Sequence, residues 1–382
     1  MALDIETRDQ LVSTIERFVR ERLVPLEHQV SEDDAVPDEI VQEMRELGLF
    51  GLSIPEEFGG LGLNMEEEAL VCFELGKTSP AFRSVVGTNI GIGSQGIVMF
   101  GNDEQKKEWL PKLATGEAIA SFALTEPNAG SDSAAVECKA IKDGDHYVIN
   151  GTKRFITNAN KASVFTLMAR TDPNTPGGRG VSSFIVPADL PGLTIGKPDK
   201  KMGQQGAHIC DVIFEDVRLH EKYLLGEEGQ GFKNAMRILD RGRLHISAIC
   251  VGVAERLIKD AVEYANDRKQ FGEPISSFQM IQSMLADSQT EAYAGRCMVL
   301  DAVKKRDAGE DVAMVSSCCK LFCSEMVGRV ADRAVQIFGG SGYVSEYSVE
   351  RFYRDVRIFR LYEGTSEIQK LVIARNMIRN AG

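Results

Sequence analysis

The run His146-Tyr147-Val148-Ile149-Asn150-Gly151-Thr152-Lys153-Arg154-Phe155-Ile156-Thr157 places two β-prone stretches on either side of Asn-Gly. A two-residue hairpin turn needs positive φ at both positions. Asn and Gly accept that at little steric cost, so the spacing predicts a β-hairpin turning at Asn150-Gly151. Further short β-prone runs at 164–170, 182–186 and 211–217 are separated by Gly, Pro and Asp. Residues 121–231 are therefore expected to form an antiparallel barrel or sandwich.

The flanks have a different period. Pro37-Asp38 opens a run that closes at Gly48, with Ile40, Val41, Met44 and Leu47 at helical spacing. Proline and acid in a first turn and glycine at the end are helix start and stop chemistry. Residues 66–75 and 103–113 read the same way. Beyond residue 232, Phe278, Ile281, Met284 and Leu285 form one apolar stripe, and Met326, Val330 and Val335 lie on another within 314–338. Long helices in succession predict a bundle of antiparallel neighbours. The expected fold is α+β and multidomain: a helical domain at 1–120, a β domain at 121–231 and a helical bundle at 232–382.

Composition narrows the function classes. A net charge of −12 over 382 residues argues against the broad basic surface that nucleic acid needs. No run approaches the ~20 apolar residues of a membrane helix. Residues 1–10 are polar and acidic, unlike a secretory signal or an Arg-rich transit peptide. The expected location is the bacterial cytoplasm, or the mitochondrial matrix for a processed chain. The eight cysteines include no C-x-x-C pair and no zinc-like spacing, so no metal is expected and reduced, buried thiols are.

Gly91-Ile92-Gly93-Ser94-Gln95-Gly96 has the spacing of a dinucleotide loop, but no alternating βαβ units surround it. Close helix packing of small residues is the expectation there. Phe122-Ala123-Leu124-Thr125-Glu126-Pro127-Asn128-Ala129-Gly130-Ser131-Asp132 is a strand-like run ending in polar groups and a Pro/Asn/Gly turn. Backbone N–H groups in such a turn can cradle phosphate, and hydroxyls can meet a heterocycle's edge. A polar hairpin loop is the alternative.

With that segment the sequence resembles the acyl-CoA dehydrogenase family. Four more segments extend the resemblance across the chain in family order: Lys153-Arg154-Phe155-Ile156-Thr157-Asn158; Asp267-Arg268-Lys269-Gln270-Phe271-Gly272 with Phe278-Gln279; Gln336-Ile337-Phe338-Gly339-Gly340-Ser341-Gly342-Tyr343; and Tyr362-Glu363-Gly364-Thr365-Ser366-Glu367-Ile368-Gln369. The resemblance implies an FAD enzyme of fatty-acid β-oxidation type with a C-terminal four-helix bundle. Phe122, Leu124 and Thr125 would line one edge of the isoalloxazine. Phe155 would cover the ring where many relatives carry Trp, with Ile156 and Thr157 beside it. Ser131 would lie by the ligand phosphates.

Residues at the positions of Arg268, Gln270, Phe271, Gln279, Gln336 and Gly340 reach the FAD of a neighbouring subunit in this family, and Phe278 and Gly339 belong to the same segments. A guanidinium suits pyrophosphate, and glycines let backbone N–H groups approach oxygen closely. Gly339-Gly340 could equally be a helix C-cap, which uses the same positive-φ geometry. A homotetramer, built as a dimer of dimers, follows by resemblance. So does electron-transferring flavoprotein as the partner that takes the electrons.

Removing hydrogen from Cα and Cβ of an acyl-CoA thioester needs a base for the α proton. A lone carboxylate in a dry cleft suits, because desolvation raises its pKa toward working pH. The resemblance gives that role to Glu363, with its own backbone N–H and a flavin hydroxyl on the thioester oxygen. Some relatives carry the base on the helix after the β domain, where this chain has Gly242 in Leu239-Asp240-Arg241-Gly242-Arg243. Asp240, Arg243 and Gly364 match substrate positions, although Arg243 could be a structural ion-pair partner. Thr365 and Glu367 would close the flavin site. Arg83 resembles the carboxylate-binding arginine of glutaryl-CoA dehydrogenases, with a helix-surface arginine as the alternative. An acyl-CoA oxidase and a non-enzymatic flavin-bearing scaffold are the rival readings on the same fold.

Overall fold

The structure, a computed structural model, describes residues 3–381. Seven helices come first: α1 (Ile5–Phe18), α2 (Glu27–Asp33), α3 (Asp38–Glu46), α4 (Met65–Gly76), α5 (Pro80–Thr88), α6 (Gln95–Phe100) and α7 (Asp103–Thr115). Local chemistry sets several of their ends. Asn64 with Glu67, and Asn102 with Gln105, form reciprocal capping boxes that satisfy otherwise unpaired N–H groups of α4 and α7. Gly116 ends α7 in the left-handed conformation at φ +73°.

The β layer comprises β1 (Ala120–Ala123), β2 (Lys139–Asp143), β3 (His146–Thr157), β4 (Val164–Arg170), β5 (Val181–Pro187), β6 (Leu193–Ile195), β7 (Ile209–His220) and β8 (Leu224–Leu225). The order is β6-β7-β3-β2-β4-β5-β8, with β1 on β4. Most pairs are antiparallel; β1 and β2 each run parallel to β4.

The expected hairpin at Asn150-Gly151 is not there. Residues 146–157 form one continuous strand, and the hairpin turns earlier, at Gly144-Asp145, where Asp143 pairs with His146. Long-range pairing with β7 overrides the local turn preference. Asn150 uses its side chain to bond Asp216 N (2.9 Å) across a bulge in β7, where the register shifts between Ile149 and Gly151. Gly151 is needed for close approach, since a Cβ there would lie 2.7 Å from Cys138 Cα. A second register shift falls between Lys153 and Ile156, within β3, and holds Phe155 at φ +58°. Bulges of this kind re-aim a side chain.

The C-terminal part is a helical bundle of α8 (Gly231–Asp267), α9 (Gln279–Asp307), α10 (Ala313–Phe338) and α12 (Ser366–Ala381). A two-stranded ribbon of β9 (Lys269–Gln270) and β10 (Glu273–Pro274) follows α8, and the short α11 (Ser348–Asp355) precedes α12. The bundle shares one apolar core with α1, α3, α4 and α5, through residues such as Phe73, Phe82, Ile249 and Val327. The β layer has its own core around Tyr147, Phe165 and Phe184. Gly93 and Gly96 of the G-x-G-x-x-G run pack tightly, as expected. A Cβ at Gly93 would lie 2.5 Å from Ala120 O, and one at Gly96 2.9 Å from Thr166 Cγ2. Among the described residues no helix is long and apolar enough to cross a membrane.

Candidate active site

Glu363 sits in the turn that leads into α12, with φ +54°, and Gly364 follows at φ +91°. A glutamate in the left-handed region is strained by roughly 1–2 kcal/mol, so the surroundings must hold it there. Three bonds do. Lys320 Nζ of α10 donates to Gly364 O (2.7 Å), and Gln369 Nε2 of α12 donates to Glu363 O (3.0 Å) and Gly364 O (2.9 Å).

The Glu363 carboxylate points at the backbone of α8. A Cβ at Gly242 would overlap Glu363 Oε2 and lie 2.9 Å from Ile92 Cγ2. The two base positions weighed from the sequence thus converge on one spot, which only one of them can fill. Oε2 is buried and, among the described residues, has no hydrogen-bond partner, although Glu363 as a whole is half-buried. Burial pushes the Glu363 pKa up, while Arg83, then Lys320 and Arg243, pull it down. Cations surround the acid, yet none forms an ion pair with it among the described residues.

Arg83, on α5, is 7% exposed rather than a surface residue. Its Nε donates to His245 Nε2 (3.1 Å), His245 Nδ1 meets Glu68 Oε1 (2.8 Å), and Glu68 pairs with Arg241. This arrangement requires a neutral imidazole protonated at Nδ1. Burial and then the Arg83 charge lower the His245 pKa to about 4, which agrees. Among the described residues the two terminal nitrogens of Arg83 donate to no protein group. Gly87 makes room for the side chain, because a Cβ there would strike the guanidinium. Glu68, Cys72 and His245 lie close enough to suggest a metal site. Two arginines already occupy the carboxylate and the imidazole, however, and burial holds the Cys72 thiol well above its usual pKa, so the donor set is spent.

The first two flavin-like segments are bolted together. Arg154 N donates to Thr125 O (2.8 Å), and the wholly buried Lys153 donates to Leu124 O (3.0 Å) and Glu126 Oε1 (2.6 Å). Glu126 also accepts from Glu137 N (2.6 Å) and Cys138 N (3.0 Å). Leu124 is buried, Phe122 and Thr125 half-buried, and Ser131 exposed in the following loop. Phe155 is 52% exposed with Arg154 over its ring (4.9 Å), while Ile156 is buried and Thr157 half-buried. Phe122 and Leu124 share an apolar cluster with Ile92 and with Leu239 of α8. Ile92 is in turn the residue beside Gly242 and Glu363, so this segment reaches the acid's neighbourhood. Asp240 and Arg243 pair with each other at 2.6 Å. Thr365 Oγ1 accepts from Ile368 N (3.3 Å) at the start of α12, and Glu367 is exposed in its first turn.

The third and fourth segments gather elsewhere. Arg268 caps the far end of α8, Gln270 and Phe271 follow in the ribbon, Phe278 and Gln279 open α9, and Gln336, Gly339 and Gly340 close α10. Phe271 is 95% exposed and meets Phe278 edge to face, with ring centroids 6.0 Å apart. Gly339 is indeed the α10 C-cap at φ +59°, and a Cβ at Gly339 or Gly340 would meet nothing within 4 Å. At the helical rise, Gly242 and Arg268 stand about 39 Å apart along α8, too far for one dinucleotide to bridge within a protomer.

Lys320, His245 and Glu68 lie outside the motifs, and Gln369, Lys153 and Glu126 lie within them without a role having been assigned to them from the sequence. Of the three outside the motifs, Lys320 carried a signal: it is a lone charge within the apolar run Cys319-Lys320-Leu321-Phe322-Cys323.

Comparison with known proteins gives a consistent assignment. Family models described as the acyl-CoA dehydrogenase N-terminal, middle and C-terminal domains match residues 5–117, 121–217 and 229–378. A probable acyl-CoA dehydrogenase, YngJ, of Bacillus subtilis is 42% identical over 99% of this chain and 100% of its own length. Butyryl-CoA dehydrogenase from Megasphaera elsdenii superposes with a TM-score of 0.95 at 34% identity, covering 99% and 100% of the two chains. An acyl-CoA dehydrogenase from Bacillus anthracis, solved with FAD, gives 0.92 at 36% identity, covering 98% of this chain and 67% of that one.

Proposed function

The chain belongs to the acyl-CoA dehydrogenase family, and from that premise we propose that it removes hydrogen from Cα and Cβ of an acyl-CoA thioester with Glu363 as the base. It is an oxidoreductase acting on a CH–CH bond, and its cofactor is FAD. The residues present fit that group. Phe155 and Phe271 hold exposed rings at φ +58° and +53°, a conformation bulky residues rarely take without reason. Gly339 and Gly340 leave open space above their backbones. Phe122, Leu124, Thr125, Phe155 and Thr157 would hold the isoalloxazine. Arg268, Gln270, Phe271, Gln279, Gln336 and Gly340 would hold the nucleotide end.

Bound between those residues, FAD would supply the acceptor for the β hydride. The protein's own task is the α proton. Glu363 takes it on the carboxylate whose Oε2 is buried, and by family resemblance the Glu363 backbone N–H would steady the thioester oxygen as charge builds there. Apolar neighbours such as Ile92 exclude water from the same spot. The observation that carries this reading is the carboxylate itself: Glu363 is half-buried as a residue, but its Oε2 is buried, has no hydrogen-bond partner among the described residues, and desolvation there raises the pKa. Such a group is a poor structural element and a good base. A Glu363→Gln variant should bind flavin normally and lose its bleaching by acyl-CoA under anaerobic conditions. Bleaching at the wild-type rate would remove Glu363 from the mechanism.

The 39 Å separation of the two flavin-like clusters favours a homo-oligomer in which each copy completes its neighbour's site, and a tetramer is the form inferred. Electron-transferring flavoprotein is inferred as the electron acceptor. A second reading concerns the substrate's tail. Arg83 is buried, its two terminal guanidinium nitrogens donate to no protein group among the described residues, and it is the strongest of the cations acting on Glu363, which favours a thioester carrying a second carboxylate, of glutaryl type.

A further inference from the structure

Lys320 is wholly buried in the middle of α10, on a helix whose buried face is otherwise small or apolar. Burying an ammonium is costly, and a well-packed apolar isostere in such a place is often neutral or stabilising. Core packing therefore does not explain a lysine here. The geometry around it does. Its one hydrogen bond among the described residues runs to Gly364 O (2.7 Å), the carbonyl that follows the strained Glu363. Gln369 grips the same carbonyl from the other side, and a Cβ at Gly364 would lie 2.7 Å from Gln369 Nε2. The turn is thus held between α10 and α12.

We propose that Lys320 is a positioning residue for the base: its ammonium holds the Gly364 carbonyl, keeps Glu363 in the left-handed turn, and so aims the carboxylate at the Gly242 face of the cleft. The charge acts on Glu363 as well as the hydrogen bond. Three cations act electrostatically on the Glu363 carboxylate, each from a different helix: Arg83 from α5, Lys320 from α10 and Arg243 from α8. Arg243 is offset by Asp240, and Arg83 is tied to His245. Around Lys320 itself stand Cys250 of α8, Arg243 and Glu325. Burial lowers the lysine's pKa to about 8, which leaves it protonated at neutral pH. A neutral side chain at 320 would remove both the grip on the turn and one of the three charges that favour the ionised base.

This inference rests on Glu363 being the base, and the test separates the two. Lys320→Met, Lys320→Arg and Glu363→Gln are compared as flavin-loaded enzymes for melting temperature, flavin content, and the pH profile of kcat and kcat/KM. Lys320→Met should melt no lower than wild type and keep its flavin. Its kcat should fall on the order of 10²-fold, the scale expected for a catalytic group misplaced by about 1 Å, with KM changed far less. The acidic limb of its pH profile should move to higher pH, because a charge that lowered the base's pKa is gone. Lys320→Arg, which keeps charge and donor, should hold the limb in place. Unchanged kcat and an unmoved limb in Lys320→Met, with Glu363→Gln inactive, would overturn the positioning role and leave the base intact. Loss of folding or flavin in Lys320→Met would assign Lys320 to the scaffold and overturn it equally. Full activity in Glu363→Gln would instead remove the reading beneath it.

Discussion

Lys153→Met tests whether the flavin platform depends on one buried ion pair. Lys153 is fully buried and spans to Glu126 at 2.6 Å and to Leu124 O at 3.0 Å. Methionine fills the same volume but leaves the Glu126 charge without its cation, in a place where only the Glu137 and Cys138 N–H groups remain to serve it. Breaking a buried pair by removing one partner costs about 3–5 kcal/mol, mostly the penalty of the charge left behind. The damage should not stay local. Lys153 holds Leu124 O, and its neighbour Arg154 holds Thr125 O, so the run from Leu124 to Glu126 and the bulge that presents Phe155 move together. Urea unfolding of the flavin-loaded enzyme, read by protein and flavin fluorescence, measures both effects. We expect a stability loss of about 3–5 kcal/mol and release of flavin at lower urea. Adding Glu126→Gln to Lys153→Met should recover part of the loss, because the unpaired charge is gone, although Glu137 N and Cys138 N meet different carboxylate oxygens and the amide oxygen can accept from only one of them. A Lys153→Met enzyme within about 1 kcal/mol of wild type that retains flavin, or a double variant no better than the single, would refute the reasoning.

Arg83→Ala should lower kcat/KM for a glutaryl-type thioester on the order of 10- to 100-fold more than for butyryl-CoA, matching the loss of a charge-assisted hydrogen bond of about 1.5–3 kcal/mol, because both substrates lose the charge that Arg83 exerts on Glu363 and only the first loses a bond to its own carboxylate. Equal effects on both substrates would dismiss the carboxylate role. Acid stability should carry the signature of His245. Unfolding lets that imidazole take a proton below about 6.5, whereas the folded chain holds it off until about 4. Stability attributable to His245 therefore falls as pH drops through that window. Asp355, pushed up to about 6 by burial, acts in the opposite direction below pH 6, so the difference between wild type and His245→Gln is what counts. The variant's urea midpoint should fall less between pH 6.5 and 5, and parallel curves would contradict the assignment.

What the sequence makes legible follows from the range of the forces involved. Helices α4, α7 and α10 could be read because apolar spacing and caps such as Asn64 and Asn102 lie within a few residues of what they control. Asn150-Gly151 misled because its local turn preference competes with pairing between β3 and β7, some sixty residues apart, and the sheet wins. The acid at 363 could be picked out only through its motif, since nothing in Leu361-Tyr362-Glu363-Gly364 reveals that its carboxylate meets the backbone of α8. The residues that hold the acid's turn, the flavin platform and Arg83 were harder still. Lys320 lies 44 residues from Gly364, Lys153 27 from Glu126, and His245 177 from Glu68. A lone charge in an apolar stripe announces that a partner exists without saying where.

Proton removal can be watched apart from flavin reduction. In heavy water, a thioester whose β position has no hydride to give can still exchange its α hydrogens, and mass spectrometry counts the deuterium gained. The flavin-loaded wild-type enzyme should exchange them readily, and Glu363→Gln, with the same flavin content, should not exceed the rate without enzyme. Exchange by Glu363→Gln at the wild-type rate would mean that another group takes the proton.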